Sequence, residues 1–131
     1  DAGTYRNHAV RITGVNLPTA NYLSVSKLVL EVIDEAIKET QDIIALTAKV
    51  HSKFEQIHPF SDGNGRVGRL LMTAMLLENN VAPALIRQQQ KQLYYTYLYK
   101  AQTKDDQSQL EDFLCNAVMD GFDILERKDV R

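Results

Sequence analysis

Residues 57–69 read Ile-His-Pro-Phe-Ser-Asp-Gly-Asn-Gly-Arg-Val-Gly-Arg, and within them residues 58–65 break any regular pattern. Gly63, Gly65 and Gly68 are three of only six glycines in 131 residues, and Pro59 is one of three prolines. Glycine loses more conformational freedom on folding than any other residue, and proline breaks a helix interior. The chain must therefore be built from regular segments on either side of one concentrated break.

Those segments read as helices. Val25, Leu28, Val29, Val32, Ile33, Ala36 and Ile37 recur at helical spacing, with Ser24 or Ser26 as N-cap. A second helix is expected from Asp42 to Ile57, with Ile43, Leu46, Val50, Phe54 and Ile57 on one face and Asp42 capping it. A third runs from about Gly65 to Glu78. Leu70, Leu71, Ala74, Met75 and Leu77 make it so apolar that it should be largely buried, and Asn79, Asn80 and Pro83 stop it. A fourth runs from about Gln88 to Thr103 with Leu93, Tyr94, Tyr97, Leu98 and Ala101 inward. A fifth runs from about Gln107 to Glu126 with Leu110, Phe113, Leu114, Ala117, Val118 and Phe122 inward. Only residues 9–23 read differently. Gly14, Asn16 and Pro18 among β-branched residues predict two short strands around a turn. The expected fold is an all-α bundle with a short N-terminal β-hairpin.

The length fits one domain, and 44% hydrophobic with 24% charged residues is ordinary for a globular chain. No apolar run approaches the ~20 residues of a membrane helix. A net charge of −2 with no basic face argues against nucleic acid as a partner. Cys115 stands alone, so no internal disulfide forms and a cytoplasmic setting is expected. A packed or surface thiol is its plain reading. The first residue is Asp1, which reads as a piece of a longer chain.

Asp-Gly and Asn-Gly are strong hairpin-turn dipeptides, and a simple turn is one reading of the break. The flanks oppose it, because a helix precedes the loop and an apolar helix follows. A glycine-rich turn opening into a helix gathers free backbone N–H groups at the positive end of a dipole. That is an anion site suited to phosphate. Arg66 and Arg69, three apart, share one face of the first turn and can reach a polyphosphate. Asp62 offers a carboxylate for Mg²⁺, which prefers one or two carboxylates plus phosphate oxygens. His58 is a candidate general base. No Gly-Lys-Ser/Thr follows, so this is not a Walker loop, and two potential ligands do not make a zinc site.

The segment resembles the signature of the Fic family, His-x-Phe-x-Asp/Glu-Gly-Asn-Gly-Arg-x-x-Arg. His58, Phe60, Asp62, Gly63, Asn64, Gly65, Arg66 and Arg69 match every fixed position. Gly3-Thr4-Tyr5-Arg6 is similar to the family's Gly-x-Tyr/Phe-Arg, and residues 12–23 sit where its β-hairpin flap lies. The resemblance implies an enzyme that transfers AMP from ATP to protein hydroxyls, with Mg²⁺ and ATP as cofactor and co-substrate. It implies that His58 deprotonates the hydroxyl, and that Asp62 binds Mg²⁺. Gly63, Asn64 and Gly65 would cradle phosphates, with Arg66 on the β-phosphate and Arg69 on the γ-phosphate. Phe60 would anchor the loop. Residues 86–102 look like the stretch lining the adenine pocket, which points to Tyr94, Tyr95 and Gln102. Val15, Asn16 and Leu17 would dock the target protein.

The second glycine, Gly65, argues against the kinase-like Doc branch, which carries lysine there. No Ser/Thr-x-x-x-Glu-Gly/Asn inhibitory motif is present, since Ala74 stands four residues before Glu78-Asn79. An inhibitory segment elsewhere or an antitoxin partner is expected instead. Removal of AMP and a nucleotide-binding module without turnover are the alternative readings. His51 reads as structural and His8 as exposed; Arg6 and Arg87 read as ordinary surface residues, with phosphate or target binding as the alternative.

Overall fold

The computed structural model describes residues 2–12 and 14–129, with side chains through Glu126. Five helices follow in order: α1 (Val25–Ala36), α2 (Ile43–Ile57), α3 (Asn64–Glu78), α4 (Lys91–Lys104) and α5 (Ser108–Asp129). Short 3-10 turns, Tyr22–Ser24 and Gln88–Gln90, lead into α1 and α4. Two helix starts are held by a carboxylate. Asp42 Oδ1 accepts the Ala45 N–H at 3.0 Å, and Asp106 Oδ1 accepts the Ser108 N–H at 3.1 Å. Ser24 makes no side-chain cap, and the entry turn to α1 is held by Asn21 Oδ1 on the Leu23 N–H instead.

The second helix is the central element, packed on α1, α3, α4 and α5. On one side Val50, Phe54 and Ile57 meet Val25, Val29, Val32 and Met75. On the other, Ala48 joins Met72, Leu76, Tyr94, Leu98, Leu110, Leu114 and Val118. The third helix ends where Asn80 turns to φ +59, and the Val81 N–H returns to Leu76 O at 2.9 Å. The chain then runs against α5, with the Leu85 N–H on Ala117 O at 2.9 Å.

Two expectations need correction. Among the described residues there is no strand, so the β-hairpin flap is absent. A ladder needs successive N–H and C=O groups exchanged between two extended segments. Residues 10–20 are tied differently, by the Thr19 hydroxyl donating to Val10 O at 3.0 Å and a long Val15 N–H to Ile12 O contact of 3.4 Å. Pro18 has no N–H to give. Part of the expected strand pair, Thr13, lies outside the described residues. The apolar faces were also drawn too wide. Leu70 is 69% exposed and Leu77 55%, so α3 buries Met72, Met75 and Leu76 and shows solvent an apolar stripe. Ile33 on α1 and Ile37 just after it, Leu93 on α4 and Phe122 on α5 are likewise exposed.

Candidate active site

The loop between α2 and α3 is fixed by backbone conformation at both ends. His58 ends α2 at φ +51, ψ +61, with its N–H on Phe54 O at 3.2 Å. That left-handed conformation costs a non-glycine residue of order 1–2 kcal/mol. Gly63 opens α3 at φ +82, where a Cβ would be strained. Between them Asn64 pins the loop. Its Oδ1 accepts the Phe60 N–H at 2.8 Å and its Nδ2 donates to Phe60 O at 2.9 Å. The Asn64 side chain is thus consumed by the loop, and only its backbone can meet a ligand. Phe60 is half-buried beside the core and tilts against Tyr5 at 5.8 Å between ring centres.

The left-handed turn sets the chemistry of His58. Its Nδ1 lies 3.3 Å from Glu55 O, an oxygen that can only accept, so Nδ1 carries the proton. Nε2 is then the basic nitrogen. Burial lowers the imidazole below its ordinary pKa, the Glu55 carbonyl opposes this, and the Arg6 charge adds to the lowering. A neutral imidazole is the form that can accept a proton.

Helix geometry leaves the N–H groups of Asn64, Gly65 and Arg66 without a carbonyl one turn back, since the Val67 N–H takes Gly63 O at 3.0 Å. The Gly63 N–H is already held by Asp62 Oδ1 at 2.8 Å. Both guanidiniums fold back over the glycines. Arg66 Nη2 and Arg69 Nη1 each lie 3.2 Å from where a Cβ on Gly63 and on Gly65 would stand. Exposed Asp62 meets Arg66 through Oδ2 at 3.4 Å. Among the described residues no group of three His, Cys, Asp or Glu could hold a metal by itself. A lone exposed carboxylate beside an anion site fits Mg²⁺ shared with phosphate oxygens, not a protein-only cage.

A cavity of about 520 Å³ unites much of this. Arg11, Ile12, Gly14 and Val15 form one wall, His58, Glu55 and Gly65 the floor, and Tyr95, Leu98, Tyr99 and Gln102 the far side. Gln102 is fixed by its Nε2 donating to Ser52 O at 3.1 Å. Tyr94 does not line the cavity. It is buried in the core, with its hydroxyl on His51 Nε2 and its ring against Tyr95. Burial takes His51 down to about 4 and raises the Tyr94 hydroxyl. Asn16 and Leu17 line the hollow inside the 10–19 loop, and Leu17 is buried. Arg87 pairs with Asp120 on the surface at 2.9 Å. Cys115 is exposed.

Sequence reasoning missed two residues. Arg6 is buried, not a surface residue. Glu55 is buried on the cavity floor with Oε1 unpartnered, and burial raises its carboxyl to about 7 against the pull of Arg69. Its position four residues after His51, on the covered face of α2, was the available signal.

A family model described as Fic/DOC matches residues 1–76. The protein adenylyltransferase Fic of Nematostella vectensis is 47% identical over 62 residues, which cover 47% of this chain and 14% of that protein. The probable protein adenylyltransferase of Aquifex aeolicus is 35% identical over 88 residues, 66% of this chain and 28% of that one. A Fic family protein from Desulfovibrio desulfuricans superposes with a TM-score of 0.77 at 24% identity, over 100% of this chain and 43% of that chain. Fic-1 from C. elegans superposes with a TM-score of 0.75 at 24% identity, over 93% and 38%. These two likenesses are of fold. The chain spans well under a third of the length of the curated relatives named here. With more than half of its residues matched by the family model, signature included, the chain belongs to the Fic/DOC family.

Proposed function

We propose that this chain is the AMP-transferring part of a protein adenylyltransferase, moving AMP from ATP to a Ser, Thr or Tyr hydroxyl of a target protein. The observation that carries the reading is one cavity lined both by His58, whose Nδ1 is held on Glu55 O, and by Gly65 at the start of α3. The names of the relatives support it. The hydroxyl oxygen attacks the α-phosphorus, its proton passes to His58 Nε2, and the bond from that phosphorus to the bridging oxygen breaks to release pyrophosphate. Backbone N–H groups at Asn64 and Gly65 would meet phosphate oxygens, with Arg66 and Arg69 neutralising the leaving pyrophosphate. Mg²⁺, shared by Asp62 and the phosphates, would supply further charge neutralisation. Tyr95 and Gln102, which line the cavity, would contact the adenine, and the segment at Val15–Leu17 would receive the target.

Among the described residues no helix is long and apolar enough to cross a membrane. The lone exposed thiol of Cys115 suits the cytoplasm. An inhibitory segment or antitoxin partner would act by blocking Arg69. The test is incubation with Mg-ATP and mass spectrometry for AMP added to the chain or to lysate proteins. Wild type should label and His58→Ala should not; equal labelling by both refutes the reading.

A further inference from the structure

Arg6 is a buried cation with no carboxylate partner among its hydrogen bonds. All of its bonds go to backbone carbonyls. Nε donates to His58 O at 2.6 Å, and Nη2 donates to Ile57 O at 3.0 Å and also to Ala20 O. Nη1 donates to His8 O at 2.9 Å. Its own backbone N–H donates to Pro59 O at 2.9 Å. Three successive carbonyls, those of Ile57, His58 and Pro59, are therefore held by one residue about fifty positions earlier in the chain.

Ile57 O is one of the carbonyls that the end of α2 leaves orphaned, and His58 O and Pro59 O follow it just past the negative pole of the helix dipole. A left-handed residue at His58 turns its carbonyl away from the helix axis, and the planar guanidinium fork meets it together with Ile57 O. The remaining arms reach His8 and Ala20, the two ends of the loop whose Val15 lines the cavity opposite His58. One side chain thus joins the base of that loop to the turn that aims the imidazole.

We propose that Arg6 is a positioning residue for His58: by clamping the carbonyls of Ile57, His58, His8 and Ala20 it holds the imidazole with Nε2 toward the cavity and locks the target-facing loop to it. The inference rests on His58 being the general base of the proposed transfer. The titratable and charged groups lining the cavity with His58 are Glu55 from α2, Arg11 from the loop, and Tyr95 and Tyr99 from α4, while Arg6 acts on it from behind and Asp62, Arg66 and Arg69 stand at the adjoining start of α3. Of these, the Arg6 cation also disfavours the imidazolium.

The experiment compares wild type with Arg6→Lys and Arg6→Met by NMR of ¹⁵N-labelled histidine, read in the intact chain without nucleotide. Wild-type His58 should show a protonated Nδ1 and titrate below the ordinary 6.5. In Arg6→Lys, which keeps the charge but loses the fork, the Nδ1–H form should give way to a mixture. In Arg6→Met the titration should also move up. In the transfer assay Arg6→Lys should lower kcat at least about tenfold with the KM for ATP little changed, and its acid limb should move. An unchanged tautomer in folded Arg6→Lys overturns the proposal. So does a wild-type His58 whose neutral form carries its proton on Nε2 rather than Nδ1, a reading that needs no variant if both fail to fold. A wild type that transfers nothing refutes the functional reading instead, and the tautomer measurement still decides the role of Arg6.

Discussion

Replacing Glu55 by glutamine should make the chain more stable at high pH and leave the balance almost unaltered at low pH. Glu55 is 8% exposed, and its Oε1 has no partner. Burial raises its carboxyl from 4.5 to about 7, opposed by the charge of Arg69. The unfolded chain releases this proton near 4.5 while the folded chain keeps it to about 7. Over that interval the folded state binds more protons, so stability falls as pH rises, and levels off above 7. At ~1.4 kcal/mol for each tenfold change in proton affinity, the loss is about 3 kcal/mol. Glutamine cannot ionise, so Glu55→Gln escapes the loss.

Wild-type stability alone would hide this. His51, pushed down from 6.5 to about 4 by burial, has the opposite effect. Its unfolded form takes a proton as pH falls through 6.5 while the folded form resists to about 4, so stability is lost toward acid by a similar ~3 kcal/mol. Between 4.5 and 6.5 these two slopes oppose each other, so the wild-type curve by itself isolates neither. Subtracting the two proteins removes His51, along with any fixed cost of burying an amide. Urea denaturation at pH 4.5 and pH 8 should give a difference in ΔΔG of about 3 kcal/mol in favour of Glu55→Gln at the higher pH. Parallel curves, with that difference below about 0.5 kcal/mol, would refute a buried, uncompensated carboxyl at this position.

The other expectations concern the same loop and its supports. A Cβ on Gly68 would stand 2.0 Å from Glu55 Oε1 and 3.3 Å from Phe54 Cδ1, so Gly68→Ala should cost about 1–3 kcal/mol. Much of that cost should vanish in a Glu55→Ala background, and strict additivity in a urea double-mutant cycle would contradict it. Asn64→Ala strips two bonds from Phe60, so it should cost about 1–3 kcal/mol and speed hydrogen exchange at the Phe60 amide. Asp42→Ala should cost about 1 kcal/mol in thermal unfolding, since it removes the cap on Ala45 at the start of α2.

What could be read in the sequence was what is local. The helices came from periodicity and caps, and Asp42 caps α2 as its position predicts. The limits of each buried face did not, because the sequence around Leu70 and Leu77 is apolar on every side and only neighbours decide which side is covered. The 9–23 segment carries strand-like residues, but a strand exists only when a second backbone pairs with it. Here Thr19 and Pro18 leave that pairing unmade.

The site divides the same way. Arg66 stands three residues after Gly63 and Arg69 four after Gly65, so helical spacing alone brings each guanidinium over a glycine. His58 differs. Its left-handed turn is a strained state that sequence does not announce, and strain persists only where surroundings over-determine it. Those surroundings are the Phe60 bonds from Asn64, four residues ahead, and the carbonyl bonds from Arg6, about fifty residues behind. The first could be inferred from neighbours in sequence. The second could not, since an arginine near a chain start carries no local sign that it will be buried against a helix end. The residues that would do chemistry are thus encoded in one short run, while the conformation that aims them is encoded in distant contacts. A motif match by itself therefore says which groups are present and leaves open whether they are held ready to act.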